Sequence, residues 1–425
     1  MLRAIVLSPT TRDDAPVGAL SNSTVARTDR ISRTQTQVES ALVTLGVSTK
    51  DWSEGSGNLN SCPLTIALIN RKDPSITVSR MTAGLMLLIV FILTQTPLYA
   101  TKLVTYRFRG ETRIGAWTPD GIIDLHRAYR EMLIAQGKPR AGERAQALVP
   151  SEMLAFLEGE GESMEAAQQA IEWASARRRT AKQGASKTDS DHLREAGVWF
   201  EHSEVRLAPP IPNPPHLLAV ALNYRAHSAE IKIDLPQYPN VFTKEGKVIG
   251  PGESIEIPGW VKEPDYEAEL AVVIGKRGRA VSRESAYEYI AGYMTFNDVT
   301  SRDYQFRVSQ YTLGKSLDTF SAMGPFLVLR DEIPDPHRLR ITARIGQEIL
   351  QDSNTSFMIF PVAELIAQMS QLMTLEPGTV IATGTPSGVG HARKPPRYLR
   401  PGETILVEVE GLGVLENKVV QQNPP

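Results

Sequence analysis

From about residue 101 onward the sequence predicts an α+β fold, mainly β. Two observations predict it: short β-branched runs separated by Gly and Pro, which read as strands and turns, and longer helical periodicity confined to two segments. A third sets the boundary. Residues 1 to about 80 are rich in Ser, Thr and Arg with few aromatics and no sustained periodicity, the texture of a disordered or non-native extension.

Residues 81–100, MTAGLMLLIVFILTQTPLYA, follow Arg80 and carry an apolar centre from Leu85 to Leu93. That centre is short for a membrane span and right for a signal-peptide core, which would require translation to begin at Met81. Otherwise the segment is a weak anchor or non-native upstream sequence, and a cytoplasmic location is expected for the rest. From Thr101, KLVTYRFRGETRIGAWTPDGIIDL alternates apolar residues with Gly-containing turns and reads as a short meander opening a small N-terminal α+β domain, residues 101–206. Helical patterns follow around 122–136 and 151–180, the second ending in Ala176-Arg177-Arg178-Arg179, read as a solvated helix end, and then a polar stretch to about 192. The Pro-rich LAPPIPNPPHL, 207–217, can continue neither a helix nor a central strand, so a catalytic domain is placed at 207–425. Its many short strands end in TILVEVEGLGVLENKVV.

Composition excludes several functions. With 46 Lys and Arg against 48 Asp and Glu, the net charge of -2 gives no basic footprint for nucleic acid. The single cysteine, Cys62, makes neither an internal disulfide nor a thiolate cluster. None of the 7 histidines stands in a helical zinc spacing, GTPSGVG lacks the G-x-S-x-G elbow, and no P-loop or dinucleotide fingerprint follows a strand. A metal, if used, must take oxygen or nitrogen ligands.

In DYEAELAVVIG the run after Ala271 reads as a buried strand, whose period of two puts Glu267 and Glu269 on one face. Side by side, the two carboxylates would repel unless a divalent cation joined them; alone, an E-x-E is also the solvated face of an edge strand. A second strand-like stretch, 291–297, delivers Asp298 at its end, where it can serve as a third oxygen donor or as a helix N-cap. Three hard donors favour Mg²⁺, Mn²⁺ or Ca²⁺ over zinc. In H-x-x-E, His227 and Glu230 share a helix face, so the carboxylate can orient the imidazole.

The segments ALNYRAHSAE, VFTKEG, DYEAELAVVIGKRGR, AGYMTFNDVTSRDYQ, GKSLDTFSAMGP, QDSNTS and IATGTPSGVG occur in the order found in fumarylacetoacetate hydrolase family proteins, which this sequence resembles from about residue 101 to its end. The resemblance implies a mixed β-roll catalytic domain, usually paired as a homodimer. It makes Glu267, Glu269 and Asp298 the metal ligands, His227 the catalytic base and Glu230 its partner. Lys315 would meet developing negative charge on the substrate, Gln305 belongs to the same site, and Thr385 would contact the substrate carboxylate. Arg225 and Lys244 are further candidates for that anion. Fumarylacetoacetases carry an additional Asp ligand seven residues before the active-site His, where this sequence has Val220. The resemblance is therefore to the shorter acylpyruvase-like branch. It implies a divalent-metal hydrolase that cleaves a C–C bond of a fumarylpyruvate- or acylpyruvate-type 2-oxo acid, as in aromatic catabolism. The alternatives are decarboxylation of oxaloacetate, and hydration or isomerisation of unsaturated oxo-dicarboxylic acids. A non-catalytic dimeric metal or ligand binder needs only carboxylates and anion contacts, and the presence of His227, Glu230 and Lys315 argues against it.

Overall fold

The computed structural model of the protein describes residues 101–182 and 187–423. The expectations for 1–80 and 81–100 fall outside them. The predicted meander forms as β1 (Lys102–Phe108), β2 (Glu111–Thr118) and β3 (Gly121–Asp124), paired antiparallel in sequence. Helix α1 (Leu125–Ala135) starts later than its periodicity suggested, because Ile122 and Ile123 pair in β3 with the short β4 (Trp199–Phe200). The Asp124 side chain caps α1 by accepting from Arg127 N at 2.8 Å.

After α2 (Ala141–Leu148), the 151–180 pattern resolves into α3 (Met153–Glu158) and α4 (Glu160–Lys182), broken at Gly159. Helix α5 (Lys187–Glu195) occupies the stretch read as merely polar. Its buried Leu193 anchors it. The basic run is less solvated than expected: Arg177 lies over Trp173 and Arg178 over Trp199, at 4.1 and 4.7 Å from the ring centroids.

The second half adds β5 (Arg206–Ala208), β6 (Leu217–Ala221), α6 (Arg225–Glu230), β7 (Asn240–Thr243), β8 (Val248–Ile249), β9 (Ile255–Ile257), β10 (Pro264–Asp265), β11 (Ala268–Ile274) and β12 (Ile290–Asp298). Then come β13 (Thr300–Ser301), α7 (Arg302–Gln305), α8 (Thr312–Lys315), β14 (Ser321–Leu329), β15 (Arg340–Ile345), β16 (Glu348–Asn354), α9 (Val362–Leu372), β17 (Val380–Ala382), β18 (Thr404–Val409) and β19 (Gly413–Gln421).

A 12-stranded mixed sheet runs β4-β3-β2-β1-β14-β12-β11-β17-β6-β7, with β5 against β1 and β8 against β14. Strands from both sides of the Pro-rich segment meet in it, where β1 pairs with β14. A 5-stranded sheet, β16-β15-β18-β19-β9, packs on one face. The helices α1 to α5 cover part of the other. All seven residues of β11 are buried, because Leu270, Val272 and Ile274 enter one core while Ala271 and Val273 enter the other. The architecture is thus α+β and mainly β. Among the described residues, no helix is long and apolar enough to cross a membrane.

Candidate active site

Adjacent antiparallel strands bring the carboxylates together. Ala268 of β11 faces Asn297 of β12, so Glu267 just before β11 lies beside Asp298 at the end of β12, and Asp298 N donates to the Glu267 carbonyl at 2.9 Å. Asn297 Oδ1 accepts from Glu267 N at 3.1 Å and fixes that backbone. Glu269, two residues on, shares the face. One carboxylate oxygen from each of Glu267, Glu269 and Asp298 lies within 4.8 Å of the others, and all three residues are buried.

Three buried cations press on this cluster. Lys315, at the end of α8, donates to Glu267 Oε2 at 2.7 Å and to Asp298 Oδ2 at 2.9 Å. Arg302, opening α7, ion-pairs with Asp265 at 2.9 Å and with Glu267 at 2.7 Å. The Lys244 ammonium contacts Asp298 Oδ1 and donates to the carbonyls of Val299 at 3.2 Å and Phe320 at 3.0 Å. Burial alone would raise the Glu267 carboxyl, but Lys315 and Arg302 outweigh it and hold it at about 2. Glu269 goes the other way: burial, then Asp298 and Glu267, push it well above the usual carboxylate range. It forms no ion pair with a cation among the described residues, and it accepts from the Gly384 N–H at 2.8 Å.

That imbalance tests the implied metal. Four buried carboxyls, including Asp265, face three buried cations, and the one without a partner belongs to the all-oxygen triad. A hard divalent cation fits this donor set in charge and in ligand type.

Opposite chemistry comes from α6. His227 Nδ1 meets Glu230 Oε1 at 2.7 Å, and the Glu230 carboxylate also accepts from Gly388 N at 3.0 and 3.2 Å. Gly388 has φ of 101°, and a Cβ there would lie 2.5 Å from the Leu350 carbonyl, so glycine is required for this support. A narrow cavity of about 50 Å³ is lined by His227, Glu267, Gln305, Lys315 and Thr385, all expected from sequence. Val220 also lines it, and its side chain offers no oxygen. A larger cavity, about 700 Å³, lies beside the Pro-rich segment and contains neither the dyad nor the triad.

Two expected anion contacts are placed elsewhere. Arg225 is exposed and does not line the cavity, because two helical residues span about 200° and His227 takes the inward direction. Lys244 turns under Asp298 and spends its ammonium there; burial pushes it below the usual lysine range. Thr385 lines the cavity, but its hydroxyl donates to the Ala268 carbonyl at 3.0 Å and accepts from Gln351 at 2.8 Å. Gln305 receives Arg302 at 2.9 Å. Sequence reasoning did not single out Arg302, Asp265, Gly384 or His391, although all stand inside or beside the quoted motifs.

A buried carboxylate triad, through Glu267, and a His–Glu dyad, through His227, meet at one cavity, an arrangement that could hold a hard divalent cation beside a proton-transfer group. Residues 216–420 match the family model for the fumarylacetoacetate (FAA) hydrolase C-terminal region. The chain is 44% identical over 220 residues to the mitochondrial oxaloacetate tautomerase Fahd2a of Rattus norvegicus, covering 51% of this chain and 70% of that protein. It is 43% identical over 239 residues to oxaloacetate tautomerase YisK of Bacillus subtilis, covering 55% and 79%. The solved fumarylacetoacetate hydrolase of psychrophilic Exiguobacterium antarcticum has a TM-score of 0.56 at 31% identity, over 76% of this chain and all (100%) of that one. The chain belongs to the fumarylacetoacetate hydrolase family of enzymes.

Proposed function

We propose that the protein interconverts the keto and enol forms of oxaloacetate, moving a proton between C3 and the oxygen on C2. The observation that carries this reading is the His227–Glu230 pair, which opens on the same cavity as Lys315 and Glu267. The names of the two relatives support oxaloacetate over the acylpyruvate read first from sequence. They favour the branch of the reading that ends in an enolate without attack by water.

Glu267, Glu269 and Asp298 would hold the divalent cation, with Mg²⁺ first and Mn²⁺ or Ca²⁺ as alternatives. When bound, it supplies Lewis-acid polarisation of the 2-oxo group. His227 takes the C3 proton through Nε2, while Glu230 fixes the ring and stabilises its charged form. Lys315 offers its proton to the C2 oxygen as charge develops there. Burial opposes that charge on Lys315, but Asp298 and Glu267 outweigh burial and hold its pKa above the usual lysine value. His227 then releases its proton to solvent and Lys315 regains one, so the net change is one proton moved from C3 to oxygen. Val220 and Phe242 give this cavity an apolar wall.

The test follows enol absorbance and deuterium exchange at C3 in metal-loaded protein against metal alone. Acceleration of both is expected. Full metal occupancy with no acceleration of either would refute the reading; release of pyruvate would assign decarboxylation, and cleavage of acylpyruvates would restore hydrolysis. Turnover of none would favour a binder. The homodimer implied by the family is a further proposal, checked by light scattering.

A further inference from the structure

We propose that His391 is a specificity-determining residue, its imidazole receiving the distal carboxylate of a dicarboxylic 2-oxo acid while the triad and dyad hold the reacting end. The inference rests on the proposed substrate and deepens it by naming what would separate a four-carbon diacid from a monocarboxylic 2-oxo acid.

His391 lines the same cavity as His227 and stands against Phe306, their rings 5.0 Å apart. Phe306 is itself exposed, which places His391 at the mouth. Its position is built from the interior outward. The Asp265 carboxylate accepts from Gly390 N at 2.7 Å and from His391 N at 2.9 Å, and Arg302 Nε donates to the same oxygen as His391 N, at 2.9 Å. Gly390 permits this approach: a Cβ there would meet the Arg397 carbonyl at 2.0 Å and Asp265 Oδ1 at 2.5 Å. The ring is oriented as well, with Nδ1 2.9 Å from the Tyr398 hydroxyl. With the Tyr398 hydroxyl donating to Nδ1, the neutral ring carries its proton on Nε2. That tautomer presents Nε2–H as a donor. Nε2 meets no protein partner among the described residues.

The cations of the cavity are committed. Arg302 serves Asp265, Glu267 and Gln305, while Lys315 serves Glu267 and Asp298 and has its remaining N–H assigned to the C2 oxygen. The Thr385 hydroxyl is already used in both directions. A second carboxylate at the mouth therefore finds His391 as its free donor, and a charge-assisted hydrogen bond of this type is ordinarily worth about tenfold or more in affinity.

Binding, rather than turnover, separates this proposal from the reaction assigned above. Malate and lactate mimic a diacid and a monoacid that differ at the distal carboxylate, and neither carries the 2-oxo group that enolises. Calorimetry on the Mg²⁺-loaded full chain should give malate at least about tenfold tighter than lactate. His391→Ala should bring the two affinities near equality through loss on malate alone, and His391→Gln, which keeps a donor, should restore part of the preference. Equal weakening of both ligands in His391→Ala would show a structural role and overturn the proposal. So would an unchanged malate preference in that variant, or wild-type protein with no preference. These outcomes stand whether or not oxaloacetate is turned over, so failure of the proposed reaction and failure of this subsite are read in different experiments.

Discussion

Replacing Glu269 by Gln alters the one carboxyl of the triad that forms no ion pair with a described cation. The triad oxygens lie within 4.8 Å of one another, and like charges at that distance repel by ~3–4 kcal/mol at an effective dielectric constant of about 20. Burial adds to this, so the Glu269 carboxyl in the folded, metal-free chain keeps its proton well above its ordinary value of 4.5. The unfolded chain releases that proton once pH passes the ordinary value. Its folded pKa being raised, this group's stabilising contribution is present at lower pH and is lost as pH rises toward the folded value. A cation bound by Glu269 displaces any proton that carboxyl still carries. Titration with Mg²⁺ in buffers of differing ionisation enthalpy should therefore show up to about one proton released per ion in wild type. Glu269→Gln should release close to none and bind on the order of 30-fold more weakly, the equivalent of about 2 kcal/mol for a lost charged ligand. Without metal the variant should melt higher than wild type above neutral pH, since no carboxyl has to be kept protonated. Wild-type binding with no proton release at pH 7, or a variant that binds Mg²⁺ as well as wild type, would refute the reasoning.

His227→Ala should slow C3 deuterium exchange by about a hundredfold with metal content unchanged, as expected for a lost general base; equal exchange in both proteins would remove His227 from the chemistry. Lys244→Met should lower stability by ~3–5 kcal/mol in a denaturant titration, because Asp298 is left buried with one cation fewer. An unchanged midpoint with weakened substrate binding would instead return Lys244 to the anion-contact role read from sequence. A chain shortened to begin at Thr101 should keep wild-type exchange rates, since every residue assigned to the site lies after it; loss of activity in soluble, folded protein would show a contribution from the first 100 residues.

Much of the fold was legible because local pattern and tertiary demand agree. Strand β11 is apolar along its length since both of its faces are covered, and the Gly-punctuated meander β1–β3 pairs only with sequence neighbours and β4, β5 and β14 at its edges. Where they disagree, sequence misleads. Ile122 and Ile123 satisfy a helical and a strand period equally, and it is pairing with β2 and β4 that makes them a strand. Helix α5 shows too few apolar residues to announce itself. The parallel pairing of β19 with β9, about 160 residues apart in the chain, has no local signature at all.

The site divides along the same line. E-x-E and N-D are local patterns, and the pairing of β11 with β12 brings them together. Charge compensation is long-range: Arg302 reaches Asp265 across 37 residues, Lys315 reaches Glu267 across 48, and Lys244 reaches Asp298 across 54. A basic residue in a motif reads naturally as a contact for an anionic substrate, yet Coulomb energy makes a buried carboxylate cluster claim such residues first. Lys244 shows the consequence, being fully absorbed by Asp298. Fully ionised, four carboxylates against three cations leave the cluster one unit negative, and a divalent cation turns that to one unit positive. The carboxylate adjoining a 2-oxo group then brings the centre to neutrality. A second carboxylate on the same substrate finds no remaining charge there to match it, so its recognition has to come from outside the cluster, at the rim where His391 stands.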